Sequence, residues 1–199
     1  MMGTLWKRQN KVFSDTDILD ALGKGDIVIE PFESIALQPA SVDLRLGNEF
    51  RFQRPYAMDR MLDVRQPVDE FFTHAQKFRD DQKVVIQPQD FVLAATREKI
   101  SLANNVVGRL EGKSSLARIG ISVHSTGGFI DPGNRDLRIT LEIVNHGRFP
   151  IALYPGMWIC QIAFQYTLSP AKNPYGPGRG SRYYGDSKPV LSRVSEKLD

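Results

Sequence analysis

From residue 42 to residue 166 the apolar residues recur in short runs, and Gly or Pro closes most of them. Val42-Asp43-Leu44-Arg45-Leu46 alternates, Gly47-Asn48 offers a turn, and Phe50-Arg51-Phe52 alternates again. Residues 84–86, 91–95, 106–110, 119–123, 137–144, 151–153 and 158–166 continue the series, punctuated by Pro88, Pro132-Gly133, Gly147, Pro150 and Pro155-Gly156. A period of two puts successive side chains on opposite faces of a pleated strand. Many short strands at this spacing predict a mainly β fold, an antiparallel barrel or sandwich of jelly-roll type.

Three stretches depart from that pattern. In Ser14-Asp15-Thr16-Asp17-Ile18-Leu19-Asp20-Ala21-Leu22 the spacing predicts a short helix, with Ser14 as N-cap and Asp17 answering it three residues on. Gly23 and Gly25 end it, and Ile18, Leu19 and Leu22 are expected to form its buried face. Residues 54–83 are charge-rich without alternation, which predicts an excursion over the surface with a helical turn near 68–72. Asn173-Pro174-Tyr175-Gly176-Pro177-Gly178-Arg179-Gly180-Ser181-Arg182 is too dense in Gly and Pro for a regular element. It predicts a mobile arm, so the chain divides into a β domain over 1–172 and an arm over 173–199. No internal repeat is visible.

Composition narrows the function classes. Among 199 residues the net charge is only +3, which gives no footprint for nucleic acid. The one local asymmetry is residues 172–199, with six Lys/Arg against three Asp/Glu, which fits either a solvated tail or a tail that closes on an anion. Cys160 is the single cysteine, so no disulfide forms within the chain, as expected in a reducing cytoplasm. With His74, His124 and His146 as the only histidines, a zinc site of four cysteines, or of two cysteines and two histidines, cannot be built in one chain. The zinc-deaminase signature, His-x-Glu with Pro-Cys-x-x-Cys, is also absent. No apolar run has transmembrane length, and residues 1–12 lack the apolar segment of a signal peptide.

The chemistry concentrates in Gly112-Lys113-Ser114-Ser115-Leu116-Ala117-Arg118-Ile119-Gly120 and in the carboxylates Asp131 and Glu142 that follow. Small residues let backbone N–H groups approach an anion, and Lys113 and Arg118 add charged donors. A carboxylate just beyond an anion site is a natural general base. The segment is not a P-loop, because Val107 stands where that motif needs its first glycine. On the residues alone, a ligand-free surface turn at 112–120 and an outward-facing strand carboxylate at Glu142 stand as alternatives.

Ser41-Val42-Asp43-Leu44-Arg45-Leu46-Gly47, the 112–120 segment, residues 124–132 and Ile139-Thr140-Leu141-Glu142 together resemble the dCTP deaminase family of the dUTPase-like superfamily. The likeness runs from about Ser14 to Arg193. It implies a distorted jelly roll assembled as a homotrimer, with active sites between subunits and the arm closing over the nucleotide. By that resemblance Lys113, Ser114, Ser115, Leu116, Ala117 and Arg118 hold the triphosphate, and Asp131 contacts the sugar. Thr140, Leu141 and Glu142 contact the base, with Glu142 relaying protons between water and cytosine while Arg118 and Ser114 orient them. Tyr175 and Arg182 reach the nucleotide from the arm, and Asp186 stands where the family has an arm glutamine. Mg2+ is expected to travel with the triphosphate, and no zinc.

The implied reaction converts dCTP to dUTP and ammonia, with dTTP as a candidate inhibitor. A bifunctional enzyme that carries dUTP on to dUMP and diphosphate is the alternative, since Gln161 and Ser125-Thr126-Gly127-Gly128-Phe129-Ile130-Asp131 resemble that subgroup. A non-catalytic nucleotide sensor is the third reading. Besides Asp186, this chain departs from the family pattern by one additional residue within 134–137, by Asn134 in place of an aromatic, and by Gly127 in place of an alanine.

Overall fold

The computed structural model describes residues 12–55 and 60–196. The expectation about the polar N-terminal stretch therefore lies outside the described residues, apart from Val12. The chain opens with α1 (Asp15–Lys24), followed by β1 (Ile27–Glu30), β2 (Leu37–Gln38), β3 (Ser41–Arg45), β4 (Glu49–Phe52) and β5 (Gln76–Lys77). Next come β6 (Val84–Ile86), β7 (Phe91–Ala95), β8 (Lys99–Leu102), β9 (Val106–Gly112) and a single helical turn, α2 (Ser114–Ala117). The last strands are β10 (Ile121–Ser122), β11 (Phe129–Ile130), β12 (Thr140–Asn145), β13 (Ile151–Leu153) and β14 (Trp158–Tyr166).

Two five-stranded sheets carry the molecule, in the orders β10-β12-β7-β4-β5 and β11-β9-β14-β3-β2, and two-stranded ladders β1-β8 and β13-β6 complete it. Each of these pairings is antiparallel. The predicted mainly β, jelly-roll type of fold is what the chain adopts. Alternation explains the layers: in β12 Leu141, Ile143 and Asn145 are buried, while Thr140, Glu142 and Val144 on the other face are half-buried. Leu44, Phe50, Leu110, Ile162 and Phe164 join Leu141 and Ile143 in one core. Burying a side chain such as Phe50 contributes about 1.5–3 kcal/mol.

α1 forms as its caps dictate. The Ser14 side chain accepts from the Asp17 backbone while Asp17 answers the Ser14 N–H, and Gly25 ends the helix in the left-handed region at φ 73°. Its buried face differs from the expectation: Ile18 and Ala21 are buried, whereas Leu19 is exposed. Successive helical residues are about 100° apart, so Leu19 cannot share the inward stripe centred on Ile18 and Ala21. Gly23 lies inside the helix rather than ending it.

Three further differences shape the site. Strands β1 and β8, which lack a clear alternation in their neighbourhood, pair over Ile27–Glu30 and Lys99–Leu102. The expected strand at 119–123 shrinks to Ile121–Ser122. The excursion does not merely cross the surface: it makes a 3-10 turn at Asp69–Phe71, and Val68 and Phe72 are buried with Leu93 in a second apolar cluster.

The arm lies on its own chain. Tyr175 N donates to Pro132 O at 2.8 Å, Arg138 N to Asp186 O at 2.9 Å and Arg51 Nε to Pro189 O at 2.9 Å. Beyond these, Leu191 packs on the second cluster. Gly133 is required where the arm crosses, because it has φ 92° and a Cβ there would fall 2.6 Å from the Pro174 side chain. A 3-10 turn forms at Pro177–Arg179, where no regular element was expected. The compositional argument missed these contacts because several rest on backbone groups, and the others join side chains far apart in the chain, neither of which composition reports.

Candidate active site

Glu142 sits on the half-buried face of β12, opposite Leu93 of β7. Its backbone N–H donates to Val123 O at 2.9 Å, and its Oε2 accepts from Ser125 N at 2.9 Å. The carboxylate is thus held at one oxygen by the loop that follows β10. A Cβ placed on Gly127 would lie 3.5 Å from Oε1, an ordinary van der Waals distance, so glycine in place of the family alanine leaves this geometry unchanged.

Glu142 lines a cavity of about 660 Å3 together with Asp131, Thr140, Asn134, Tyr175 and Asp186. Asn134 is buried and its amide donates to Asp131 O at 3.1 Å, while its Oδ1 has no partner. Within the 134–137 loop, Asp136 takes φ 49°, after which Leu137 bridges back to Ile100. A left-handed residue turns the chain locally and lets an extra position be absorbed without shifting the ladder.

Asn134 brings no aromatic ring, yet the cavity has an aromatic wall in Phe72, Phe91, Phe129 and Tyr183. Sequence reasoning missed Phe72 because it lies in the charge-rich excursion and Tyr183 because it follows the Gly/Pro-rich stretch. Leu191 closes the cavity from the C-terminal segment, and Arg193 ties that segment together. Arg193 N donates to Tyr183 Oη at 3.0 Å, and its guanidinium donates to Asp186 Oδ1 at 3.1 Å and to Arg182 O.

The anion-loop residues lie elsewhere. Ser114, Ser115, Ala117 and Arg118 are exposed and Leu116 is half-buried against the core, and none of them lines the Glu142 cavity. Lys113 Nζ donates to the buried Asp43 Oδ2 at 2.6 Å, and the other Asp43 oxygen has no partner. Gln161 accepts from Ser41 Oγ at 2.8 Å and donates to Gly112 O at 3.4 Å, which anchors the start of the same loop. Leu141 has its side chain wholly in the core, so only its backbone is available to a ligand. Within one chain the predicted residues therefore form two groups, one around Glu142 and one around Arg118, with Arg182 joined to the first through Arg193.

Titration is perturbed at two buried groups near β3. Burial pushes the Glu98 carboxyl up, against a 2.9 Å hydrogen bond from Arg45 N that lowers it. Burial likewise pushes the Cys160 thiol far up, which leaves it an inert core residue. Among the described residues, no group of three or more His, Cys, Asp or Glu could hold a metal ion. No helix among them is long and apolar enough to cross a membrane.

Known proteins resemble this chain in sequence and fold. A relative in Methanothermobacter thermautotrophicus named dCTP deaminase, dUMP-forming, is 43% identical over 192 residues, covering 94% of this chain and 96% of its own length. One of the same name in Halobacterium salinarum is 43% identical over 186 residues, covering 92% and 94%. A Natronomonas pharaonis protein named dCTP deaminase is 42% identical, with coverage of 92% and 94%. In structure, the chain resembles the 2'-deoxycytidine 5'-triphosphate deaminase of Agrobacterium tumefaciens with a TM-score of 0.58 at 23% identity. That likeness covers 78% of this chain and 48% of the longer one, and it bears on the fold alone. The dCTP deaminase-like family matches residues 12–167, and by that match and these identities the chain belongs to it.

Proposed function

We propose that this protein deaminates dCTP hydrolytically, with Glu142 as the proton shuttle. The observation that carries the reading is the Glu142 carboxylate, fixed by Ser125 N and facing a cavity large enough for a nucleoside. Family membership and relatives named dCTP deaminase support the substrate. In the reaction Glu142 takes a proton from water, whose oxygen attacks C4 of cytosine, and passes that proton to N3. A second proton, from the attacking oxygen, goes to the amino group, which leaves as ammonia while the C4 carbonyl of uracil forms. One carboxyl group serves each transfer if it stays beside both partners. Thr140 and the Leu141 backbone face the base edge, and Asp131 takes the sugar.

The separation of the two residue groups supports a site completed by a second copy of the chain. In a homotrimer the exposed Ser114, Ser115 and Arg118 of one subunit, with the half-buried Lys113 beside them, would meet the Glu142 cavity of the next, with Ser114 and Arg118 orienting the water. The arm over 173–199 would hold Tyr175 and Arg182 against the nucleotide. Mg2+ suits this donor set only as an ion carried by phosphate oxygens and water, where it would neutralise phosphate charge. Asp186, joined to Arg193, is turned into an ion pair and so repels the phosphates less than a free carboxylate would. The lone, buried Cys160 suits a reducing cytoplasm.

A second reading rests on Asp131, which lines the same cavity as Glu142. It would orient water toward the α-phosphate, carrying the product on to dUMP and diphosphate; the names of several relatives call those proteins dUMP-forming. Incubation with dCTP and Mg2+, followed by separation of nucleotides and assay of ammonia, tests both. Ammonia with dUTP supports the first reading, ammonia with dUMP the second, and unchanged dCTP refutes both.

A further inference from the structure

A second cavity, of about 610 Å3, lies where the arm passes the turn before β9 and the loop after Pro132. Arg135, Lys172 and Arg179 all line it, together with the amides of Asn104 and Asn173, and no carboxylate does. All three cations are exposed, and none of them has an ion-pair partner among the described residues. Three like charges around one concavity repel each other, and a multivalent anion relieves that repulsion. The walls are held by backbone bonds: Ala171 N donates to Asn104 O at 2.8 Å and Tyr175 N to Pro132 O at 2.8 Å.

We propose that this pocket is a separate binding site for a polyphosphate chain. Two guanidinium groups give forked donors that match phosphate oxygens, Lys172 adds a point charge, and the two amides supply neutral donors. Its place is distinct from that of the 113–118 loop, since none of those residues lines it. Tyr175 lines both this pocket and the Glu142 cavity, so a ligand that joins Arg135 to Arg179 also fixes the arm on which Tyr175 sits. The site does not depend on the reaction proposed above, because its evidence is the arrangement of cations alone.

Titration calorimetry with inorganic tripolyphosphate, in the absence of dCTP, tests it on the full chain. The expected result is a dissociation constant below about 1 mM. With Arg118→Ala in place to silence the 113–118 loop, adding Arg135→Gln, Lys172→Gln and Arg179→Gln should weaken binding at least about tenfold, as the loss of three charge-assisted contacts requires. All three side chains are exposed, so an unchanged melting temperature is expected, and the single variants serve if it falls. Arg118→Ala should leave this binding in place. No binding to the unaltered protein overturns the proposal. So does binding to the Arg118→Ala protein that survives the three Gln substitutions, or binding that Arg118→Ala abolishes. Running a ribonucleoside triphosphate in parallel separates the sources: equal affinity indicates a free inorganic chain, and tighter binding the tail of a nucleotide.

Discussion

The strand that carries Glu142 and the loop that carries Arg118 differ in how their residues are held. Glu142 projects from the middle of a sheet, with its neighbours Leu141 and Ile143 wholly buried and its carboxylate bonded to Ser125 N. Lys113 to Arg118 form one turn of helix whose residues are mostly exposed, anchored at its root by Asp43 and Gln161. A proton shuttle must keep its geometry throughout the reaction, and a strand buried on one face provides that. A phosphate-binding segment needs accessible charge, and an exposed turn provides that. None of the residues 113–118 lines the Glu142 cavity, so the cooperation of the two regions is a proposal about a second copy of the chain.

Breaking the strand side should have the largest effect. Glu142→Gln keeps the shape and can still accept from Ser125 N, but it cannot take a proton. Turnover of dCTP is expected to fall by about 10²–10⁴-fold or more, with dCTP binding retained. More than about a tenth of the original rate would remove Glu142 from that role.

On the loop side, Arg118→Ala should lower kcat more than Lys113→Ala, which should mainly raise KM. Lys113→Ala should also cost about 1–3 kcal/mol of stability in denaturant titration, because it strands the buried Asp43 carboxylate. The reverse kinetic pattern would exchange the two roles. Mixing Glu142→Gln with Arg118→Ala subunits sharpens the comparison further. If each site takes one group from each of two neighbours, random reassembly restores roughly a quarter of the sites. No recovery after subunit exchange would place both groups in one chain's site.

A smaller effect is expected at Leu191, which packs on Val68, Phe72 and Leu93. Leu191→Ala should destabilise the protein by about 1 kcal/mol, less than a fully buried leucine, and should loosen the C-terminal segment toward proteolysis. Removing the arm after Pro174 should then abolish most activity and also lower the melting temperature, since it deletes Leu191 and the bonds of Arg193.

The smallest effect concerns Glu98, whose folded carboxyl titrates above its ordinary 4.5. Between 4.5 and the raised value the folded state binds more protons than the unfolded one, so stability falls as pH rises through that window. Glu98→Gln should flatten that slope in melting temperature against pH and leave acid stability unchanged. A slope of the same size in the variant would assign it to another group.

How far the chain was legible in advance follows from which forces are local. The short apolar runs at 84–86, 91–95, 151–153 and 158–166 predicted four strands with their observed bounds, and Ser14 with Asp17 predicted the start of α1. Periodicity and capping act over a few residues, so they show in the sequence itself. Strands β1 and β8 were missed because each is completed by the other, across some seventy residues of chain.

The same division holds for the site. Glu142, Asp131, Thr140, Tyr175 and Asp186 were recognisable as residue types in a family pattern, and the fold brings them to one cavity. Only tertiary structure decided that Phe72 and Leu191 wall that cavity, that Asp43 holds Lys113, and that the arm lies on Pro132 and Gly133. Sequence determines which local conformations and chemical groups are available. Which distant groups meet depends on burial and on backbone hydrogen bonds between segments far apart in the chain, and these exist only once the sheets have packed.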